Sequence, residues 1–141
     1  MIISVPLQIV DLQGDGFHPL VNTHINGKPF TMVIDTGASK TAFDKNLFLS
    51  ENKKAALSTN ENLSTGLGTN TMKSYTTTVE DFRIGALKIS DFEVAVLDLS
   101  AINIAYEQMG HTQVLGVLGG DILMYYKAVI DYGKKTISFR I

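Results

Sequence analysis

Val33-Ile34-Asp35-Thr36-Gly37-Ala38-Ser39 is the stretch on which the reading of this chain turns. Apolar residues run from Phe30 to Ile34, interrupted only by Thr31, and predict a strand buried on both faces. A carboxylate follows directly, and a glycine follows the carboxylate one residue later. Aspartate at the end of a buried strand costs desolvation unless hydrogen-bond donors reach it. Gly37 lets a backbone N–H approach the Asp35 carboxylate closely, and the Thr36 hydroxyl can bond neighbouring backbone. A second break in the β pattern lies downstream at Val117-Leu118-Gly119-Gly120-Asp121. Two bulky apolar residues there run into glycine, which permits tight packing of a strand end against another backbone.

Working outward, period-two patterns dominate. Ile3, Val5, Leu7 and Ile9 alternate with polar residues and predict one strand with one buried face. Gln13-Gly14-Asp15-Gly16 is a turn, His18 to Ile25 a second strand, and Asn26-Gly27 a hairpin signal before Phe30 to Ile34. These strands form a meander ending at Asp35. Asp44 to Leu49 and, with Ser50 as cap, Glu51 to Leu57 predict short helical turns. Tyr75 to Ile84 is β-branched, and its apolar phase slips between Val79 and Phe82, which predicts a bulge near Glu80. Gly85-Ala86 turns the chain into an apolar strand, Phe92 to Leu99. Ala101 to Met109 is a loop or short helix, Val114 to Leu118 a strand, and Asp121 to Lys127 a short helix with Asp121 as N-cap. Ala128 to Tyr132 and Thr136 to Ile141 form a hairpin about Gly133-Lys134-Lys135. The sum is a mainly β domain spanning residues 1–141, closed or sandwich-like, with one or two short helices.

Composition narrows the function classes. The chain has 141 residues, enough for one core, and is 45% hydrophobic and 18% charged, which excludes disorder as its main state. With no cysteine it has neither a disulfide framework nor a thiolate zinc site. Twelve basic and 14 acidic residues are spread without a basic block, so nucleic acid is not an expected partner. No apolar run approaches the roughly 18 residues of a membrane span, so no membrane is expected. No Lys/Arg region precedes an apolar N-terminal stretch, which for a full-length chain favours the cytoplasm. His18 and His24 share a strand face but lie roughly 20 Å apart, too far to share a metal, and read as solvated. No metal or cofactor is expected. Met32, Met72 and Met124 read as core or pocket filler, and Asn62-Leu63-Ser64 as a chance glycosylation sequon.

Asp35-Thr36-Gly37-Ala38-Ser39 resembles the Asp-Thr-Gly-Ala/Ser signature of aspartic proteases. Val117-Leu118-Gly119 resembles the downstream hydrophobic-hydrophobic-Gly motif of that family. The longer run Gly116 to Leu123 and the closing Val129-Ile130-Asp131-Tyr132 are similar to the retropepsin-like, single-domain branch with its bacterial members. The resemblance covers nearly the whole chain and is weakest over residues 45–61. It implies a closed acid-protease barrel and hydrolysis of peptide or protein substrates. It places Asp35 as the catalytic residue, with Thr36, Gly37 and Ala38 supporting the site. Thr36 would bond across to a second subunit. Gly66, Leu67 and Gly68 stand where the family carries a flap over the substrate, and Leu67 and Met72 are equally well read as pocket lining or packing.

Hydrolysis without metal or covalent nucleophile needs one group to activate water and another to protonate the carbonyl. Two close carboxylates sharing one proton do both, as is established for aspartic proteases and is not a deduction from this chain. Only one convincing Asp-Thr-Gly is present. Asp131-Tyr132-Gly133 is the nearest second candidate, disfavoured because it carries Tyr in place of Thr at an apparent hairpin tip. A homodimer supplying Asp35 twice meets the requirement. The alternative is a catalytically inactive peptide-binding or dimerisation domain on the same fold; a small β-barrel binding a lipid or oligosaccharide requires the motif to be coincidence. The Thr136 to Ile141 strand either pairs between subunits or within its own.

Overall fold

Leu7 divides the N-terminal apolar run between two sheets. The computed structural model describes residues 1–12, 14, 16–60 and 74–141. β1 (Ile2–Pro6) joins a three-stranded sheet, and β2 (Gln8–Leu12) starts a larger one. The single strand expected over Ile3 to Ile9 is therefore two. Between them the Leu7 N–H donates to the Lys135 carbonyl, in the turn before the last strand, at 2.8 Å.

The larger sheet contains β3 (Gly16–Ile25), β4 (Lys28–Ile34), β5 (Ala42–Asp44), β6 (Ser58–Asn60), β7 (Ser74–Ile84), β8 (Leu87–Leu97) and β9 (Gly116–Leu118). Its order is β2-β3-β4-β9-β5-β8-β7-β6, and β3 also pairs with β7. That extra pairing, His24 with Arg83 and Ile25 with Phe82, closes six strands into a barrel. The β3–β4 turn reinforces the closure. Asn26, at φ 50°, donates its N–H to the Asp81 carbonyl at 2.8 Å, and its side chain accepts the Asp81 N–H at 3.2 Å. The expected hairpin turn thus also works as a clasp.

Three short helices lie among the described residues: α1 (Lys45–Glu51), α2 (Ser100–Gln108) and α3 (Gly120–Tyr125). α1 starts where expected, with Asp44 accepting the Leu47 N–H at 3.0 Å. It ends at Asn52, whose side-chain amide donates to the Phe48 carbonyl at 3.1 Å. That contact satisfies a terminal carbonyl and stops the helix, so the second helix expected over Glu51 to Leu57 does not form. The phase slip in β7 is real, but no residue is inserted. Val79 pairs with Phe92 and Asp81 with Ser90 at one constant offset. The ladder skips one position on each strand there, Glu80 and Asp91, and Asp91 sits at φ 51°. Met124, expected as filler, is 83% exposed on α3.

Alternation along the strands produces two cores. One face carries Met32, Ile34, Phe43, Phe82, Val94, Val96 and Leu118, with Phe43 stacked 5.3 Å from Phe48 and 6.0 Å from Phe82. The three-stranded sheet of β1, β11 (Thr136–Arg140) and β10 (Val129–Asp131) caps this core with Ile3, Val5, Ile137 and Phe139. β11 lies between β1 and β10 of its own chain, which settles its pairing as internal. The opposite face carries Leu20, Val33, Ala42, Ala95, Leu97 and Val117, covered by Tyr106 of α2. Asn103 fastens α2 there with two buried bonds to Val114, accepting its N–H at 2.7 Å and donating to its carbonyl at 3.0 Å.

Gly116 is where β9 meets β5 most closely. A Cβ there would stand 1.9 Å from the Ala42 carbonyl oxygen, which is backbone and cannot move aside. Gly116→Ala is expected to destabilise the chain by more than about 3 kcal/mol, read from the urea unfolding midpoint.

Candidate active site

β4 and β9 run parallel, with Ile34 beside Leu118, so both chains leave the barrel at the same end. The Asp35 N–H extends the ladder one step, donating to the Leu118 carbonyl at 3.0 Å. Asp35 then turns out of the sheet. Its carboxylate accepts the Gly37 N–H at 2.9 Å, and its carbonyl accepts the Ala38 N–H at 3.2 Å. Asp35 is half-buried, Thr36 and Gly37 are exposed, and Ala38 is buried in the second core. A Cβ on residue 37 would lie 3.3 Å from the Asp35 oxygen, so glycine gives the carboxylate its room.

Gly119 lies under the loop that Asp35 begins. Its missing Cβ would come within 2.6 Å of the Lys40 carbonyl group. The Gly120 N–H donates to the Ala38 carbonyl at 2.8 Å, and the Asp121 N–H to the Ser39 carbonyl at 3.1 Å. Val117 and Leu118 face opposite cores, Val117 the second and Leu118 the first. The two sequence motifs are thus brought into direct contact.

Asp121 is not the N-cap of α3; Gly119 holds that position without a side-chain bond. The Asp121 carboxylate instead accepts from Thr41, from its N–H at 3.0 and 3.1 Å and its hydroxyl at 2.7 Å. The Thr41 hydroxyl in turn accepts the Gly119 N–H at 3.1 Å. Thr41 escaped the sequence reading. Its signal is a hydroxyl placed between Lys40 and the apolar pair Ala42-Phe43, at a site that is fully buried.

One row of side chains crosses the sheet from this point. Leu20 pairs with Val33, Val33 with Val117, Val117 with Ala42, Ala42 with Ala95, and Ala95 with Thr76. Asp35 is two residues beyond Val33 and emerges on the same face. Thr76 lies on β7, which pairs with β6, Asn60 opposite Ser74. Gly66, Leu67 and Gly68, together with Met72 and the sequon at Asn62, lie outside the described residues. His18 is half-buried instead of solvated, with Nδ1 3.0 Å from the Tyr106 hydroxyl. Asp131 holds its own hairpin turn, accepting the Lys134 N–H at 2.9 Å. Among the described residues no group of metal-ligating side chains gathers, and no helix is long and apolar enough to cross a membrane. Two surface hollows, of about 760 and 560 Å³, border Lys28, Leu47 and Glu51, and Phe48, Lys54 and Glu93. Neither is lined by Asp35.

A family model described as aspartyl protease matches residues 21–122, which include Asp35 and Gly119. No curated protein matches the chain. Among solved structures, the chain is similar to a retropepsin-like aspartic protease from Rickettsia conorii at 20% identity and a TM-score of 0.56, covering 99% of this chain and 89% of that one. It is also similar to EIAV protease complexed with an inhibitor, at 21% identity and a TM-score of 0.58, over 81% and 92% of the two chains. A retroviral protease-like domain from Leishmania major matches at 14% identity and a TM-score of 0.56, over 85% and 86%.

The described bonds of the Asp35 side chain reduce to one accepted N–H, which an amide oxygen accepts equally. Asp35→Asn is therefore expected to change folding stability by less than about 0.5 kcal/mol, measured by thermal unfolding.

Proposed function

This chain belongs to the aspartyl protease family, and from that premise we propose that it is an aspartic endopeptidase whose catalytic pair forms across a homodimer. The observation that carries the reading is the single half-exposed carboxylate of Asp35, gripped by the Gly37 N–H at the shared end of β4 and β9. One such group cannot both activate water and protonate a carbonyl. A second Asp35 from a partner copy supplies the missing role.

The two carboxylates would then share one proton, because like charges at about 3 Å cannot both ionise. The ionised member takes a proton from water as the water attacks the peptide carbonyl. The protonated member donates to the carbonyl oxygen, and proton return to the leaving nitrogen completes cleavage. Thr36, which is exposed, would bond across to the second subunit. Gly66, Leu67 and Gly68 keep, in this reading, the flap role that the resemblance implies. No metal or cofactor is needed. EIAV protease, whose fold is similar, was solved in complex with an inhibitor.

Asp35→Asn is expected to cut turnover of a peptide library by at least about 10²-fold while the fold persists. Retained cleavage would refute the mechanism. Mixing parent chains with a ninefold excess of Asp35→Asn chains should leave about a tenth of the parent activity, because about nine in ten parent chains then pair with a partner that lacks the carboxylate. Unchanged activity in the mixture would mean the monomer acts alone.

Ala38 is buried and carries no hydroxyl toward the pair. Serine there would donate to the charged form and stabilise it, so the acid limb of the pH–rate profile should move to lower pH in Ala38→Ser. An unmoved acid limb would sink this idea.

A further inference from the structure

Asp121 is a half-buried carboxylate that makes no ion pair among the described residues. Three groups donate to it: the Thr41 N–H, the Thr41 hydroxyl and the Ile122 N–H, the last at 2.9 Å. A carboxylate only accepts, so the Thr41 hydroxyl must give its hydrogen to Asp121. Its lone pair then receives the Gly119 N–H. The direction of this relay is thereby fixed: Gly119 to Thr41 to Asp121.

Backbone bonds already fasten the two loops, from Asp35 to Leu118, Gly120 to Ala38 and Asp121 to Ser39. They hold the loop at its first residue, Asp35, and at Ala38 and Ser39. The relay grips the other end, at the last residue before β5, where Thr41 is fully buried. Between these two anchors the backbone carrying Asp35 has little freedom to tilt. We propose that Asp121, acting through Thr41, is a positioning residue that fixes the height and direction of the Asp35 carboxylate. The inference rests on the reading of Asp35 as half of a catalytic pair. Proton sharing depends steeply on the separation of the two carboxylates, and a misplacement of about 1 Å costs about 10²-fold in rate.

Thr41→Val removes the hydroxyl at nearly constant shape, and Thr41→Ser restores it. In the intact dimer, Thr41→Val is expected to lower kcat by about tenfold or more with KM within about twofold, and Thr41→Ser to recover most of the loss. The two limbs of the pH–rate profile should draw together in Thr41→Val, because carboxylates held less closely couple less, and part again in Thr41→Ser. Amide hydrogen exchange supplies a readout independent of cleavage. Gly37 to Thr41 and Gly119 should exchange faster in Thr41→Val while β7 and β8 keep their protection. Parental kcat and limbs in Thr41→Val, or exchange accelerated evenly across the chain, would overturn the proposal. A parent that cleaves nothing would refute the peptidase reading, and the exchange pattern alone would then decide whether the relay holds the loop.

Discussion

β4 and β9 lie side by side and parallel, so two loops far apart in sequence leave the barrel at one edge. Parallel neighbours need a long crossover, and here residues 35–115 supply it as most of the barrel. The pairing works only because Gly116 and Gly119 present no Cβ to the strand and loop that pass over them. Asp35 inherits its place from this contact, since its N–H is the next rung of the same ladder.

The crossing of the loops buries polar groups, and each is accounted for. Thr41, Asp121 and the amides of Gly119, Gly120 and Ile122 bond among themselves or to loop carbonyls. An unpaired group in such a place costs about 1–3 kcal/mol, so the network is self-consistent only when complete. Asp44 does the same for the neighbouring layer. One of its oxygens starts α1 at Leu47 and the other takes the Leu99 N–H at 2.9 Å, joining the helix to the approach of α2. The Asp35 carboxylate is the exception in kind. It has one described donor and partial access to solvent, which suits the proton exchange that the proposed mechanism asks of it.

Much of the barrel was legible because half-buried strands advertise themselves by alternation. β3, β4, β7, β11 and the Asn26-Gly27 turn stand close to where the pattern puts them. The misreadings share a cause. Ile3 to Ile9 alternates through Leu7 without a break, yet a bond to the distant Lys135 turn splits it between sheets. The slip near Glu80 looks like an inserted residue from one strand, but its partner strand slips with it, and only the pairing reveals that. Glu51 to Leu57 has helical composition, and Asn52 closes the preceding helix before that composition can act. Asp121 precedes a helical run and resembles a cap, while its carboxylate is spent on Thr41, 80 residues earlier.

The sequence by itself determined the chemistry on offer: an Asp-Thr-Gly at the end of a buried strand, a glycine motif downstream, no thiols and no basic block. Those readings rest on residue types, and side-chain chemistry is local. Tertiary structure decided where the pieces meet. That Val117-Leu118-Gly119 lies beside Asp35, that Thr41 and Asp121 join the loops, and that Tyr106 covers the opposite core are products of long-range pairing. Local periodicity carries no information about which distant strand becomes a neighbour. The fit of glycine against backbone settles that, and it exists only in the folded chain.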